Sequence, residues 1–294
     1  MNAPDSPRVG IDVYLEWLQR EAIPVTEDFG VDLLKIDFLD QAMVYQHSAG
    51  DGDLADVGRA MARMLRQVRD RLDTAGYGSV AFEFRQPYVS PAIGRYAEVL
   101  RANDCPADSV MNRLSTVDAR LLAVGQVVHT DPMMWGLTGG AEAVAQQLYA
   151  GWFAVPQISM RLAELNQVQT SALRGLLALW QGHIDVTLDG VLQVSGGERG
   201  YDLVQSVRTD LDRSVIARYG PCVVDLDTSS TTLTTVINAT AEDRVVLRTT
   251  RAIAEAVIRS AAAEEIAKAA QLGPGLVEIA VPAYGSVTVH RPEN

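Results

Sequence analysis

The sequence predicts an α/β chain in which about five strand–helix units build a parallel sheet, followed by an antiparallel β-sandwich. Three observations carry this. Between Asp32 and Gly190, short apolar strands alternate with amphipathic helices, a spacing that implies helical crossovers and parallel pairing. After Gly190 the texture changes to short β-branched segments punctuated by Gly, Pro, Asn and Asp, the signature of an antiparallel domain. Titratable residues also recur at the C-terminal ends of successive strands, where barrels of strand–helix units place their chemistry.

The elements follow in order. Ile11, Tyr14, Leu15 and Leu18 make a helical stripe over 11–22 that Pro24 ends. Asp32 to Asp40 reads as a buried strand. From Asp53 to Thr74 a second stripe of Leu54, Val57, Met61, Met64, Leu65, Val68 and Leu72 is backed by arginines and stopped by Gly76. Ser79 to Arg85 and Tyr96 to Arg101 read as strands, and Asp108 to Ala123 as a helix with Val110, Leu114, Val117 and Leu121 on one face. Gly125 to His129 is a strand, Ala141 to Phe153 a helix, Val155 to Met160 a strand and Ser171 to Ile184 a helix. The sandwich strands are 203–207, 214–219, 222–226, 231–238, 244–248, 276–281 and 286–290. Ile253 to Ala270, rich in Ala, Glu and Ile, is helical by propensity. These elements set the domains at 1–190 and 191–294.

Composition excludes several classes. The 294 residues carry a formal charge of −12, which disfavours a nucleic-acid partner. Cys105 and Cys222 stand far apart without a metal or disulfide spacing. The N-terminal residues lack a basic and an apolar signal region, and no apolar run is long enough to span a bilayer, so the chain reads as cytoplasmic with no membrane partner.

The candidate chemistry begins at Leu34-Lys35-Ile36-Asp37-Phe38. Lys35 and Asp37 share one strand face while Leu34, Ile36 and Phe38 occupy the other. Alone, that pair reads as a strand-end salt bridge. The following strands add Glu83 and Arg85, then Arg101 and Asp104, then His129 and Asp131, so that carboxylates converge on one mouth. Two such carboxylates suit glycoside hydrolysis, one attacking the anomeric carbon or activating water and the other protonating the leaving oxygen. Trp135, Met133 and Tyr88 are apolar surfaces on which a sugar ring can stack.

Five ordered blocks sharpen this: the Lys35/Asp37 run, Glu83 to Tyr88, Arg101 to Asp108 with Asn112-Arg113, His129 to Trp135, and Val155 to Ser159. Together they resemble glycoside hydrolase family 36, the microbial alpha-galactosidases, over Asp32 to Gly190, with weaker similarity to the family's C-terminal β domain. The resemblance implies the second half of a (β/α)8 TIM-type barrel and a retaining mechanism on α-galactosides. Asp37 would be the nucleophile and Asp104 the acid/base, with Asp108 the alternate, their carboxyls about 5 Å apart. Lys35 and Arg101 would hydrogen-bond sugar hydroxyls and help keep Asp37 ionised. Arg85 would sit where related enzymes read the sugar, and Asp131 and Trp135 would form the far wall. No metal or organic cofactor is implied. By the same resemblance, the helical-looking Ile253 to Ala270 stretch belongs to the sandwich as strands.

A complete barrel takes roughly 250 residues, yet only about thirty precede the Asp37 strand. Strands one to three of the family's barrel are therefore expected to be absent. Three readings follow: an alpha-galactosidase part that needs a complementing N-terminal polypeptide, a non-catalytic carbohydrate-binding or assembly module, and an active variant completed by a second copy in a homo-oligomer. The first is preferred, with little or no hydrolase activity from this chain alone.

Overall fold

The computed structural model describes residues 28, 30–37, 39, 54, 56–85 and 90–292, apart from the Arg199 side chain. The helix expected over 11–22, together with Phe38, Asp40 and Tyr88, falls outside the described residues. The chain divides into two compact units, one of Met1–Asn103 with Leu122–Val128, the other of Asp104–Leu121 with His129–Asn294. By secondary structure, the mixed stretch gives way to strands near Gly190.

The first unit is built on β1 (Leu33–Ile36), α1 (Val57–Thr74), β2 (Ala81–Arg85), a short α2 (Pro91–Gly94), β3 (Val99–Arg101) and β4 (Val127–His129), whose last residue belongs to the other unit. The strands make a parallel four-stranded sheet in chain order. Period-two alternation sends Ile36, Phe82, Phe84 and Leu100 to one face, where all are buried. Helix α1 buries its Met61, Met64, Leu65, Val68 and Leu72 stripe as the periodicity predicts. Its start is fixed by Asp56, whose Oδ1 accepts the Arg59 N–H at 2.7 Å. At its end Gly76 adopts φ +88°, and the Gly76 and Tyr77 N–H groups reach back to the Asp73 and Leu72 carbonyls, a Schellman closure that favours glycine. Arg69, one of the arginines behind the stripe, donates to the carbonyls of Val80 and Tyr96 and stacks 3.7 Å over the Phe82 ring. It thereby fastens the helix to the approaches of β2 and β3.

The second unit holds α3 (Ser109–Leu122, all but the last residue), α4 (Ala141–Ala150), α5 (Gln167–Gln181), α6 (Ile184–Asp189) and ten strands among the described residues. These strands are β5 (Val191–Ser195), β6 (Leu203–Arg208), β7 (Arg213–Arg218), β8 (Val224–Asp225), β9 (Leu233–Asn238), β10 (Arg244–Thr249), β11 (Ile253–Arg259), β12 (Glu265–Leu272), β13 (Gly275–Ala280) and β14 (Ser286–His290). A seven-stranded sheet runs β12-β11-β14-β9-β7-β6-β5 and a three-stranded sheet runs β13-β10-β8. Ile216, Val236, Val287 and Val289 of the large sheet meet Val245, Leu247 and Ile279 of the small one. Alternate residues of the same strands, Val215, Ala217 and Ile237, join Leu148, Trp152, Leu173 and Leu176 of the helical layer in a second core. The large sheet is thus covered on both faces. Among the described residues, no helix is long and apolar enough to cross a membrane.

Two expectations need correction. Helical propensity over Ile253 to Ala270 is overridden: the segment folds as the antiparallel hairpin β11–β12, as the family resemblance implied, because β11 also pairs with β14 and buries Ile253, Ala256 and Ile258 between the sheets. The strand expected over 155–160 is reduced to isolated parallel bridges, His129 to Val155 and Met133 to Ile158. Pro156 has no N–H to offer a ladder, and the Gln157 N–H goes to the Thr130 hydroxyl at 2.9 Å.

Candidate active site

In the first unit, the register sets a charged face opposite the apolar one. Lys35 lies beside Glu83 across β1 and β2, and Arg85 beside Arg101 across β2 and β3. With Asp37 just past the end of β1, alternation brings five charged residues to one face of three neighbouring strands. Their side chains engage one another. Lys35 Nζ is 3.2 Å from Asp37 Oδ2, and Arg85 Nε is 3.0 Å from Asp37 Oδ1. Each Asp37 oxygen therefore faces its own cation. The Arg101 and Glu83 pair is looser, at 3.9 Å, and both side chains are buried. Asp37 itself keeps 24% of its side-chain surface exposed. The arrangement is a carboxylate held in one orientation by two cations yet open to solvent, which is what an attacking oxygen needs. Arg85 and Arg101, being buried, are fixed in place before any ligand arrives.

The second unit holds the remaining candidates. Asp104 is exposed at the head of a turn that leads into α3. Asp108 closes this turn: its N–H donates to the Cys105 carbonyl at 3.1 Å, and its Oδ1 accepts from the Val110 and Met111 N–H groups at 3.1 and 3.0 Å, capping the helix. Ala107 adopts φ +65°, and its carbonyl accepts from Gln147 Nε2 at 3.0 Å. Asp131 is only 2% exposed and uses Oδ2 to accept the Cys105 N–H at 2.7 Å. Trp135, 8% exposed, lies in the core beneath the helical layer. His129 Nδ1 sits 3.0 Å from Gln157 Nε2. Burial pushes the Cys105 thiol up to about 11, with the charges of Asp131, Asp108 and Asp104 adding to that rise against a hydrogen bond shared with Ser115, so this thiol holds its proton more tightly than a free cysteine. Among the described residues, no group of three or more His, Cys, Asp or Glu side chains is arranged to hold a metal ion.

The structure brings Lys35, Asp37, Arg85 and Arg101 together in the first unit and ties Asp131 to the residue after Asp104 in the second. In sequence, Glu83 is one of the carboxylates at successive strand ends, with no individual role assigned to it. Its register with Lys35, legible from the period-two pattern once β1 and β2 are aligned, makes it part of the same charged face.

Against known proteins, no family model and no curated sequence matches the chain. Solved structures do. A variant of the family 36 alpha-galactosidase AgaA from Geobacillus stearothermophilus, solved with stachyose, aligns with a TM-score of 0.50 at 9% identity over 83% of this chain and 33% of its own. The alpha-galactosidase AgaB of the same organism gives 0.47 at 11% over 83% and 33%, and an Anoxybacillus alpha-amylase gives 0.47 at 10% over 98% and 63%. At this identity the AgaA likeness is one of fold, a glycoside hydrolase barrel followed by a β domain. The chain spans a third of the length of the two alpha-galactosidases.

Proposed function

We propose that this chain carries the catalytic carboxylates of a retaining glycoside hydrolase that acts on terminal α-galactosides. The observation that carries the reading is Asp37, set just past the end of a parallel strand with one oxygen facing Lys35 and the other Arg85. In this mechanism Asp37 attacks the anomeric carbon as the glycosidic C–O bond breaks, and Asp104 gives its proton to the departing oxygen. The resulting β-linked galactosyl ester on Asp37 is then opened by water whose proton returns to Asp104, and the sugar leaves with its original configuration. Lys35, Arg85 and Arg101 hold the nucleophile and the hydroxyls around it. Asp104 serves as the acid/base in preference to Asp108, whose carboxylate is occupied in capping α3. The likeness to an alpha-galactosidase fold and the order of the sequence blocks support the substrate class.

Because the chain spans a third of the solved alpha-galactosidases, the rest of the barrel is proposed to come from a further polypeptide segment or a second copy, and the chain alone is expected to be nearly silent. The test is hydrolysis of an aryl α-galactoside by the chain with and without such a complement, scored for wild type and Asp37→Asn. The variant should lose at least about a thousandfold in kcat. Equal turnover by wild type and variant would sink the assignment, and robust activity of the chain alone would favour completion by a second copy.

A further inference from the structure

A buried carboxyl in the second unit stands out because its burial does not suit the direct sugar contact expected of it. Asp131 follows β4 and is 2% exposed. Burying such a group is costly unless its oxygens are hydrogen-bonded. Here Oδ2 takes the Cys105 N–H at 2.7 Å. The Asp131 carbonyl accepts from the buried Asn112 Nδ2 at 3.3 Å, and Asn112 Oδ1 in turn accepts from Thr116 Oγ1 at 3.2 Å. Asp131 therefore links the segment after β4 to two places at once: the residue immediately following Asp104, and the first turns of α3.

We propose that Asp131 is a positioning residue for the Asp104 carboxyl, holding the Asp104–Cys105 peptide in one orientation and setting a carboxyl against the N–H of that peptide. This rests on the reading of Asp104 as the acid/base. Fixing the Cys105 N–H fixes the peptide plane that carries Asp104. The same turn is held at Ala107 by Gln147 and at Asp108 by the helix cap. The backbone is thus anchored at three of the four residues after Asp104, while the Asp104 side chain is exposed. One carboxyl that must give a proton to the leaving oxygen and later take one from water needs such a fixed base, since both transfers occur within hydrogen-bond reach. The second consequence is electrostatic. The Asp131 carboxyl, hydrogen-bonded to the N–H of the Asp104–Cys105 peptide, brings a like charge to that peptide, and a like charge favours the protonated form of a nearby carboxyl. The Cys105 thiol in this turn registers the charges of Asp131, Asp108 and Asp104 in its raised value.

The test is a carbon-13 titration of the Asp104 carboxyl in the full chain, assigned with Asp104→Asn, together with amide exchange at Cys105, in wild type, Asp131→Asn and Asp131→Ala. Asparagine keeps an acceptor for the Cys105 N–H and removes the charge; alanine removes both. Asp131→Asn should lower the Asp104 midpoint by about one pH unit and leave Cys105 exchange unchanged. Asp131→Ala should lower the midpoint and also speed that exchange by about tenfold or more. A purely structural Asp131 would alter exchange in the alanine variant but leave the asparagine midpoint where it was, and that result overturns the proposal. Should the alanine variant fail to fold, the near-isosteric asparagine variant decides alone. Aryl galactoside turnover is scored separately, with the complementing polypeptide present: silence there with a shifted midpoint counts against the hydrolase reading only, and turnover with an unmoved midpoint counts against Asp131 only.

Discussion

At the scale of single residues, His183 shows how burial writes a pH dependence into the second unit. Its Nδ1 lies 2.8 Å from the Leu179 carbonyl, which only accepts, so Nδ1 carries the proton and Nε2 accepts from the Thr235 hydroxyl at 2.9 Å. Thr235 is in turn 3.0 Å from the Thr288 hydroxyl, which accepts from Arg259 at 2.9 Å. Burial above all, helped by the positive charges of Arg213 and Arg259, pushes the imidazole below its ordinary value. A lowered folded value means that the unfolded chain binds the proton more readily. The stabilisation is therefore complete above the unfolded value of about 6.5 and is lost as pH falls from there toward the folded value. His183→Gln should show a shallower fall in Tm between about pH 7 and 5 than wild type. Parallel slopes would place the acid sensitivity elsewhere. None of this was legible in the sequence, where His183 is one polar residue at a helix end and its partner Thr235 lies fifty-two positions away. The Lys35/Asp37 pairing was legible, because strand alternation dictates it and the structure places Nζ 3.2 Å from Oδ2.

Among elements, a constraining contact joins helix α5 to the β11–β12 hairpin. A Cβ on Gly175 would stand 2.2 Å from the Ala262 carbonyl oxygen, inside any tolerable approach and against backbone. Glycine is kept inside this helix, despite a helical cost of about 1 kcal/mol, because the hairpin turn passes directly over it. Gly175→Ala should destabilise the chain by about 2 kcal/mol despite its better helix propensity, measured as a lower denaturant midpoint. A neutral or stabilising effect would show that the turn yields. This contact also explains why Ile253 to Ala270 misleads by propensity. Alanine and glutamate favour helix locally, but β11 is a central strand whose neighbours on both sides supply hydrogen bonds and whose alternate residues reach a core. Helix α1 shows the opposite case. Its stripe, cap and terminal glycine all act within a few residues of one another, so local sequence suffices.

For the whole molecule, the fold class was visible because texture and periodicity are properties of the chain itself, while the candidate carboxylates fall in different units. Asp37 and its cations come from adjacent strands of one unit, and Asp104 with its supports comes from the other. What sequence order could not supply was the use made of each carboxyl. Asp108 caps a helix through two hydrogen bonds and Asp131 holds a peptide through one.

The chain's route through the second unit has a further consequence. Strands β7 and β9 lie side by side and parallel in the large sheet, and the segment between them leaves to place β8 in the small sheet against β10. Parallel neighbours cannot be closed by a tight hairpin, so completing the centre of one layer requires the polypeptide to pass through the other. The two layers are stitched by their own connectivity and should open as one cooperative unit. Native-state exchange tests this directly: the amides of Val215, Val236 and Val245 should share a single opening free energy that shifts together with added denaturant. Separate isotherms for Val245 and the other two would mean that the small sheet detaches on its own.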